Sequence, residues 1–189
     1  MDHEIVIVSF SSRKSGNCEQ ICDYSAKNMG KTAKTYHFSD FTIEPCGKCR
    51  YECFREGPQC PKREDMVETI LRDICISQAA VFVLPNYNQF PNANFFAFQE
   101  RCQSFFRNQA QWDRYLAVPK RFIVLSNTGK VNFVRALSQH TIRKPEILFL
   151  SARRYGKSCI TESILESNQA KADILEFLQE LPRRSVQPL

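Results

Sequence analysis

Three stretches of this chain have residue types and spacing able to do chemistry. The first is Ser9 to Cys18, in which Ser11, Ser15 and Asn17 bring side-chain donors and Arg13 a fixed positive charge. It lies between the apolar run Ile5-Val6-Ile7-Val8 and a helical pattern, so it reads as a strand-to-helix turn. Such a turn aims backbone N–H groups and the positive end of a helix dipole at one spot, which suits phosphate. The second stretch is Cys46-x2-Cys49-x3-Cys53-x6-Cys60. Its thiolates can wrap a 4Fe-4S cluster or a zinc ion, or remain free or redox-active thiols. The third, Pro85-Asn86-Tyr87-Asn88-Gln89-Phe90-Pro91-Asn92, combines aromatic faces with amides and backbone donors. It suits a flat heterocycle, or else its aromatics close the edge of the core.

Other chemistries lack a constellation. The phosphate loop is neither G-x-G-x-x-G nor a Walker A. Ser151 to Ser158 matches the P-loop pattern except that Ser151 replaces its first glycine, and reads as a basic surface loop. His3, His37 and His140 are dispersed, and no G-x-S-x-G, H-E-x-x-H or EF-hand spacing occurs, so hydrolysis has no support. Cys22, Cys75, Cys102 and Cys159 are expected to be small core residues.

The elements that must position these groups alternate. A helix follows the first loop through Ile21, Cys22, Ser25, Ala26 and Met29 and stops at Gly30, and a short strand is predicted from Thr32 to His37. A long cysteine-rich loop leads to a helix from Glu64 to Ser77. A buried strand over Ala79 to Leu84 ends at Pro85, followed by an aromatic-rich helix from Asn92 to Asn108. Then come a strand at Arg121 to Leu125, a helix over Val131 to Gln139, a strand at Glu146 to Leu150, and a helix capped by Thr161. This order predicts an α/β, three-layer, flavodoxin-like fold: a five-stranded parallel sheet, order 2-1-3-4-5, with helices on both faces. The loops after its first and third strands meet at the switch point, where ligands bind.

The chain has 189 residues, 43% of them hydrophobic, which suits one core. Residues 1–182 are expected to form that domain, with a cysteine-rich insertion at 38–62 and a tail at 183–189. The net charge of +6 favours anionic ligands, but the basic residues are scattered, so nucleic acid is not indicated. Nine cysteines without a signal peptide argue for a reducing compartment, the cytoplasm, and no stretch is apolar enough for a membrane span.

The Ser11-x-Arg13-x-x-Gly16-Asn17 loop, the cysteine run ending in Glu64-Asp65-Met66, Pro85-x-Tyr87 and Glu100-Arg101 together resemble the NAD(P)H-dependent FMN reductase and iron-sulfur flavoprotein group. The similarity runs from about Glu4 to Arg101. It implies FMN, with its phosphate on Ser11, Arg13, Ser15, Gly16, Asn17 and Cys18. The isoalloxazine would lie against Pro85, Asn86, Tyr87, Asn88, Gln89 and Phe90, with Ser126, Asn127, Thr128 and Gly129 approaching from the next strand. Two departures stand out: Cys18 replaces a usual Thr or Ser, and Asn92-Ala93-Asn94 replaces a Ser/Gly-containing helix entry. The iron-sulfur members favour a two-residue gap between second and third cysteines, whereas this chain has three.

The reading that follows is an FMN-dependent oxidoreductase passing reducing equivalents from NAD(P)H to a small-molecule acceptor, assembled as a homodimer or tetramer. One alternative is an iron-sulfur flavoprotein relaying electrons from a protein partner through a 4Fe-4S cluster on Cys46, Cys49, Cys53 and Cys60. Another is a non-catalytic binding protein with a zinc-stapled loop.

Overall fold

The computed structural model describes residues 4–47, 49–55, 60–62, 64–128, 130–157, 162–179 and 181. Its strands are β1 (Ile5–Ser9), β2 (Ala33–His37), β3 (Ala79–Tyr87), β4 (Phe90–Pro91), β5 (Lys120–Leu125) and β6 (Glu146–Leu150). Its helices are α1 (Asn17–Asn28), α2 (Met66–Ile76), α3 (Ala93–Phe105), α4 (Gln109–Ala117), α5 (Lys130–Leu137) and α6 (Asn168–Gln179). The parallel strands run in the order β2-β1-β3-β5-β6, the expected flavodoxin-like arrangement. Burial explains that order. β1 and β5 are buried throughout and take interior places, whereas β2 alternates and β6 is half-covered, as edge strands can be.

Helices cover both faces. On one side α2, α3, α4 and α5 pack Ile70, Phe98, Tyr115 and Phe133 against alternate residues of β1, β3 and β5. On the other, α1 and α6 bring Ile21, Cys22, Ile174 and Leu178 onto Ile5, Val81 and Ile123. Phe10, the first residue after β1, is fully buried, with ring centroids 4.8, 5.3, 5.4 and 5.5 Å from Phe38, Phe82, Phe95 and Phe98. Burying such a ring contributes about 1.5–3 kcal/mol, so the start of the phosphate loop is rooted in the core.

Four expectations change. β3 does not stop at Pro85 but runs to Tyr87, and Asn88-Gln89 turn it back into β4, a short antiparallel sixth strand. Pro85 lies beyond the last β1 pair, Ser9 with Val83, where its missing N–H is tolerated on an open edge. The aromatic helix ends at Phe105, and a second helix, α4, starts behind Asn108, whose Oδ1 accepts from Ala110 N at 2.8 Å. Its apolar stripe is short, Trp112, Tyr115 and Leu116, with only Tyr115 fully buried, so the sequence reading passed over it. The last helix begins at Asn168, because Ile164 and Leu165 sit in a short 3-10 turn, Ile164–Glu166. Thr161, Cys159 and the tail 183–189 lie outside the described residues.

Candidate functional site

The phosphate loop is a turn held by its own side chains. Ser11 is buried and its Oγ accepts from Arg13 N at 3.1 Å, a serine turn that leaves the hydroxyl proton to donate elsewhere. Ser15 takes a left-handed conformation, φ 57°, and Gly16 N donates to Arg13 O at 3.3 Å. Gly16 is then the N-cap of α1 and supplies no side-chain cap, so the helix end keeps donors for an anion. Arg13 is exposed beside it.

The same geometry redistributes the expected phosphate ligands. The Cys18 side chain packs into the core against Ile21, and burial pushes its thiol up to about 12, Arg13 opposing. It is no hydroxyl substitute; only its backbone faces the loop end. Asn17 is turned to structure: Nδ2 donates to Glu162 O at 2.9 Å, and Oδ1 accepts from Ile164 N at 2.8 Å, tying α1 to the approach of α6. Glu19, buried in the first turn, accepts from Ser15 N and from Ser39 Oγ, so one loop amide is already taken by a carboxylate. Sequence reasoning missed Glu19; a carboxylate three residues after the N-cap was its signal.

The third stretch forms a hairpin. Tyr87 pairs with Phe90 and Asn86 with Pro91 around Asn88 and Gln89, with φ of 50° and 69°, as a two-residue primed turn requires. Tyr87 and Phe90 are 44% and 48% exposed, so their faces are available to a ring, while Pro85 is buried and pairs with Leu125 of β5. The loop after β5 meets this hairpin. Asn86 Nδ2 donates to Ser126 Oγ and to Thr128 O at 2.9 Å, and Asn86, Asn88, Gln89, Ser126, Asn127 and Thr128 line a depression of about 310 Å³. Asn86 Oδ1 is buried without a partner there. Gly129 lies outside the described residues.

The unusual helix entry joins these parts. Asn92 Nδ2 donates to Phe10 O at 2.6 Å, and Asn94 Nδ2 to Phe10 O and Ser12 Oγ, both at 2.9 Å. The start of α3 is thereby pinned to the phosphate loop, and the loops after β1, β3 and β5 share one sheet edge. This is a role sequence reasoning did not assign to Asn92 and Asn94.

The cysteine loop packs on α3 through Arg101. This buried guanidinium pairs with Asp65 and donates to Glu44 O at 3.1 Å and Lys62 O at 2.7 Å, with Cys60 Sγ 3.8 Å away. Cys46 is exposed, its N–H donating to Glu100 at 3.0 Å, while Cys53 is buried. Burial first, then Cys46, Cys60 and Cys49, push the Cys53 thiol up. Yet among the described residues no three His, Cys, Asp or Glu side chains form a group able to hold a metal ion. The expected ligand set Cys46, Cys49, Cys53 and Cys60 forms no such group, and the Arg101 guanidinium lies beside Cys60.

Residues 3–139 match the family model for NADPH-dependent FMN reductase. The fold is similar to the Trp repressor binding protein from Bacillus subtilis, at 12% identity and TM-score 0.63 over 94% of this chain and 99% of that one. It is similar to RosB, solved with bound 8-demethyl-8-formylriboflavin-5'-phosphate, at 13% identity and TM-score 0.65 over 92% and 75%. It is also similar to FerB from Paracoccus denitrificans, a flavoenzyme NAD(P)H:(acceptor) oxidoreductase, at 14% identity and TM-score 0.56 over 93% and 95%. No match to a curated protein was found. With the model spanning the three loops and five of the six strands, the chain belongs to the NADPH-dependent FMN reductase family.

Proposed function

We propose that the protein is an FMN-dependent oxidoreductase that takes reducing equivalents from NAD(P)H and passes them to a small-molecule acceptor such as a free flavin or a quinone. The observation that carries this reading is the convergence of a side-chain-uncapped helix end, an exposed aromatic hairpin and a polar depression on one sheet edge. The donor set fits the cofactor: Ser11, Ser15, Arg13 and the first backbone amides of α1 would hold a phosphate, and Tyr87 and Phe90 would flank a ring. Asn86 Oδ1, buried and unpartnered, suits the imide N–H of a flavin. The chemistry supplied by bound FMN is hydride acceptance and electron delivery. The chain's own part is to bind, orient and shield, and hydride transfer obliges no acid-base residue.

The scarcity of phosphate donors narrows the expectation. Cys18 contributes no hydroxyl, Asn17 is engaged at Glu162 and Ile164, and Glu19 occupies the Ser15 amide, so Arg13 bears a large share of phosphate binding. Arg13→Ala is expected to weaken FMN binding about tenfold or more, from ~1.5–3 kcal/mol for a charge-assisted contact. Equilibrium titration of the purified protein measures this, and NADPH oxidation with an added acceptor tests turnover. Unchanged FMN affinity, or no FMN binding by the parent protein, overturns the reading. We extend the proposal to a homodimer in the cytoplasm; the exposed Tyr87 and Phe90 offer a surface a second copy can cover, and the described cysteines form no disulfide.

A further inference from the structure

A carboxylate is already seated in the phosphate loop. Glu19, only 9% exposed, accepts from Ser15 N through Oε2 and from Ser39 Oγ through Oε1, the latter at 2.7 Å. Ser15 N is a donor that a phosphate entering this loop would also use, so Glu19 and the phosphate are two anions drawn to one amide. Like charges in so sheltered a place oppose each other strongly unless a cation or a proton joins them.

His37 of β2 has a place for that proton. Its ring lies between two carboxylates, with Nε2 3.2 Å from Asp23 Oδ1 and Nδ1 3.9 Å from Glu19 Oε1. A neutral imidazole has one N–H, and the closer carboxylate takes it, so Nε2–H donates to Asp23 and Nδ1 is left as an acceptor. Nδ1 is buried with no hydrogen-bond partner, beside a carboxylate oxygen that has no proton to give it. A proton on Nδ1 turns this unsatisfied acceptor into a positively charged donor next to Glu19. The other ionisable groups of the loop, of α1 and of the turn after β2 offer no such position. Arg13 and Lys14 are cations already, Lys14 lying 3.4 Å from Asp40, Asp23 is held by His37, and burial keeps Cys18 and Cys22 as neutral thiols.

We propose, on the flavin reading above, that Glu19 and His37 make phosphate binding proton-coupled: FMN enters with uptake of up to one proton from solvent onto His37 Nδ1, whose charge then offsets Glu19. Glu19 thereby sets how strongly the site prefers a phosphorylated flavin. Riboflavin, which lacks the phosphate, binds without the proton.

Isothermal titration calorimetry of the purified protein with FMN and with riboflavin, in buffers of different ionisation enthalpy, tests this. At about pH 7.5 a phosphate monoester, with its second ionisation near ~6, is already mostly dianionic and contributes little. A measurable fraction of a proton is expected to accompany FMN and none riboflavin. Because the FMN complex holds the extra proton, FMN should tighten relative to riboflavin as pH falls from about 8.5 to 7.5. Glu19→Gln, whose side-chain oxygen can still accept from Ser15 N, should bind FMN roughly fivefold tighter, leave riboflavin unchanged and abolish the uptake. His37→Gln should abolish the uptake and weaken FMN roughly threefold. Circular dichroism and melting temperature check that both variants fold, and the comparison of FMN with riboflavin on the parent protein needs neither. FMN binding without proton uptake, equal uptake with riboflavin, uptake surviving in either folded variant, or a folded Glu19→Gln protein that binds FMN no more tightly overturns the proposal and leaves the flavin reading standing. A parent protein that takes up neither flavin overturns both.

Discussion

Gly16 is where the phosphate loop is tightest. A Cβ there would meet Arg13 Cβ at 3.1 Å and Arg13 O at 3.2 Å, so alanine must push the loop open by a few tenths of an ångström. Gly16→Ala is expected to fold but to lower FMN affinity several-fold in the same titration as Arg13→Ala. His140 gives a different signature. Its folded value lies near 3 against an ordinary 6.5, because burial and then Lys120 oppose its charge. Below about pH 6.5 the unfolded chain takes up a proton that the folded chain refuses until about 3. Stability from this group is thus full above 6.5 and falls as pH drops through that window. Urea unfolding from pH 7.5 to 4 should show the loss, and His140→Asn should flatten the slope by at most about 1.4 kcal/mol per pH unit. Neither behaviour could be read from the sequence: His140 stood among dispersed histidines, and its burial comes from Tyr115, Phe82 and Phe95, distant in the chain.

Among the elements, α3 does the most joining. Asn92 and Asn94 tie its start to the phosphate loop, and Arg101 ties its middle to the cysteine loop. Arg101→Met removes a buried cation and takes the guanidinium from Asp65, Glu44 O and Lys62 O, leaving a buried carboxylate without its counter-charge, which is expected to cost about 3–5 kcal/mol. Chemical denaturation measures that loss, and faster proteolysis within residues 44–62 would locate it. A change under 1 kcal/mol would show that the loop is held by other contacts. The ion pair of Arg101 with Asp65 was not legible, since the two stood in the sequence only as separate parts of a resemblance; their convergence needed α2 and α3 to pack side by side. By contrast β1, β3, β5 and α2 were legible directly, because each buries a continuous or periodic apolar set. α4 was not, since its stripe of Trp112, Tyr115 and Leu116 spans little more than one turn.

For the molecule as a whole, a ligand that binds only the folded state raises its stability by mass action. FMN at a hundred times its dissociation constant should add about 2.7 kcal/mol, or ~5–10 °C in melting temperature for a domain of this size. A thermal melt with and without FMN checks this, and an unchanged midpoint would speak against binding to the folded chain. What the sequence determined alone is the local half of the protein: the alternation of strands and helices, the parallel sheet it implies, and a loop suited to an anion, because these depend on apolar period and neighbouring residue types. What only the tertiary structure decided is the assignment of individual atoms. Cys18 turned inward, Asn17 was spent on the approach to α6, Glu19 entered the loop, and Arg101 came to lie beside Cys60. Each outcome depends on residues far apart in the chain competing for the same hydrogen bonds and the same interior space, which no local pattern encodes.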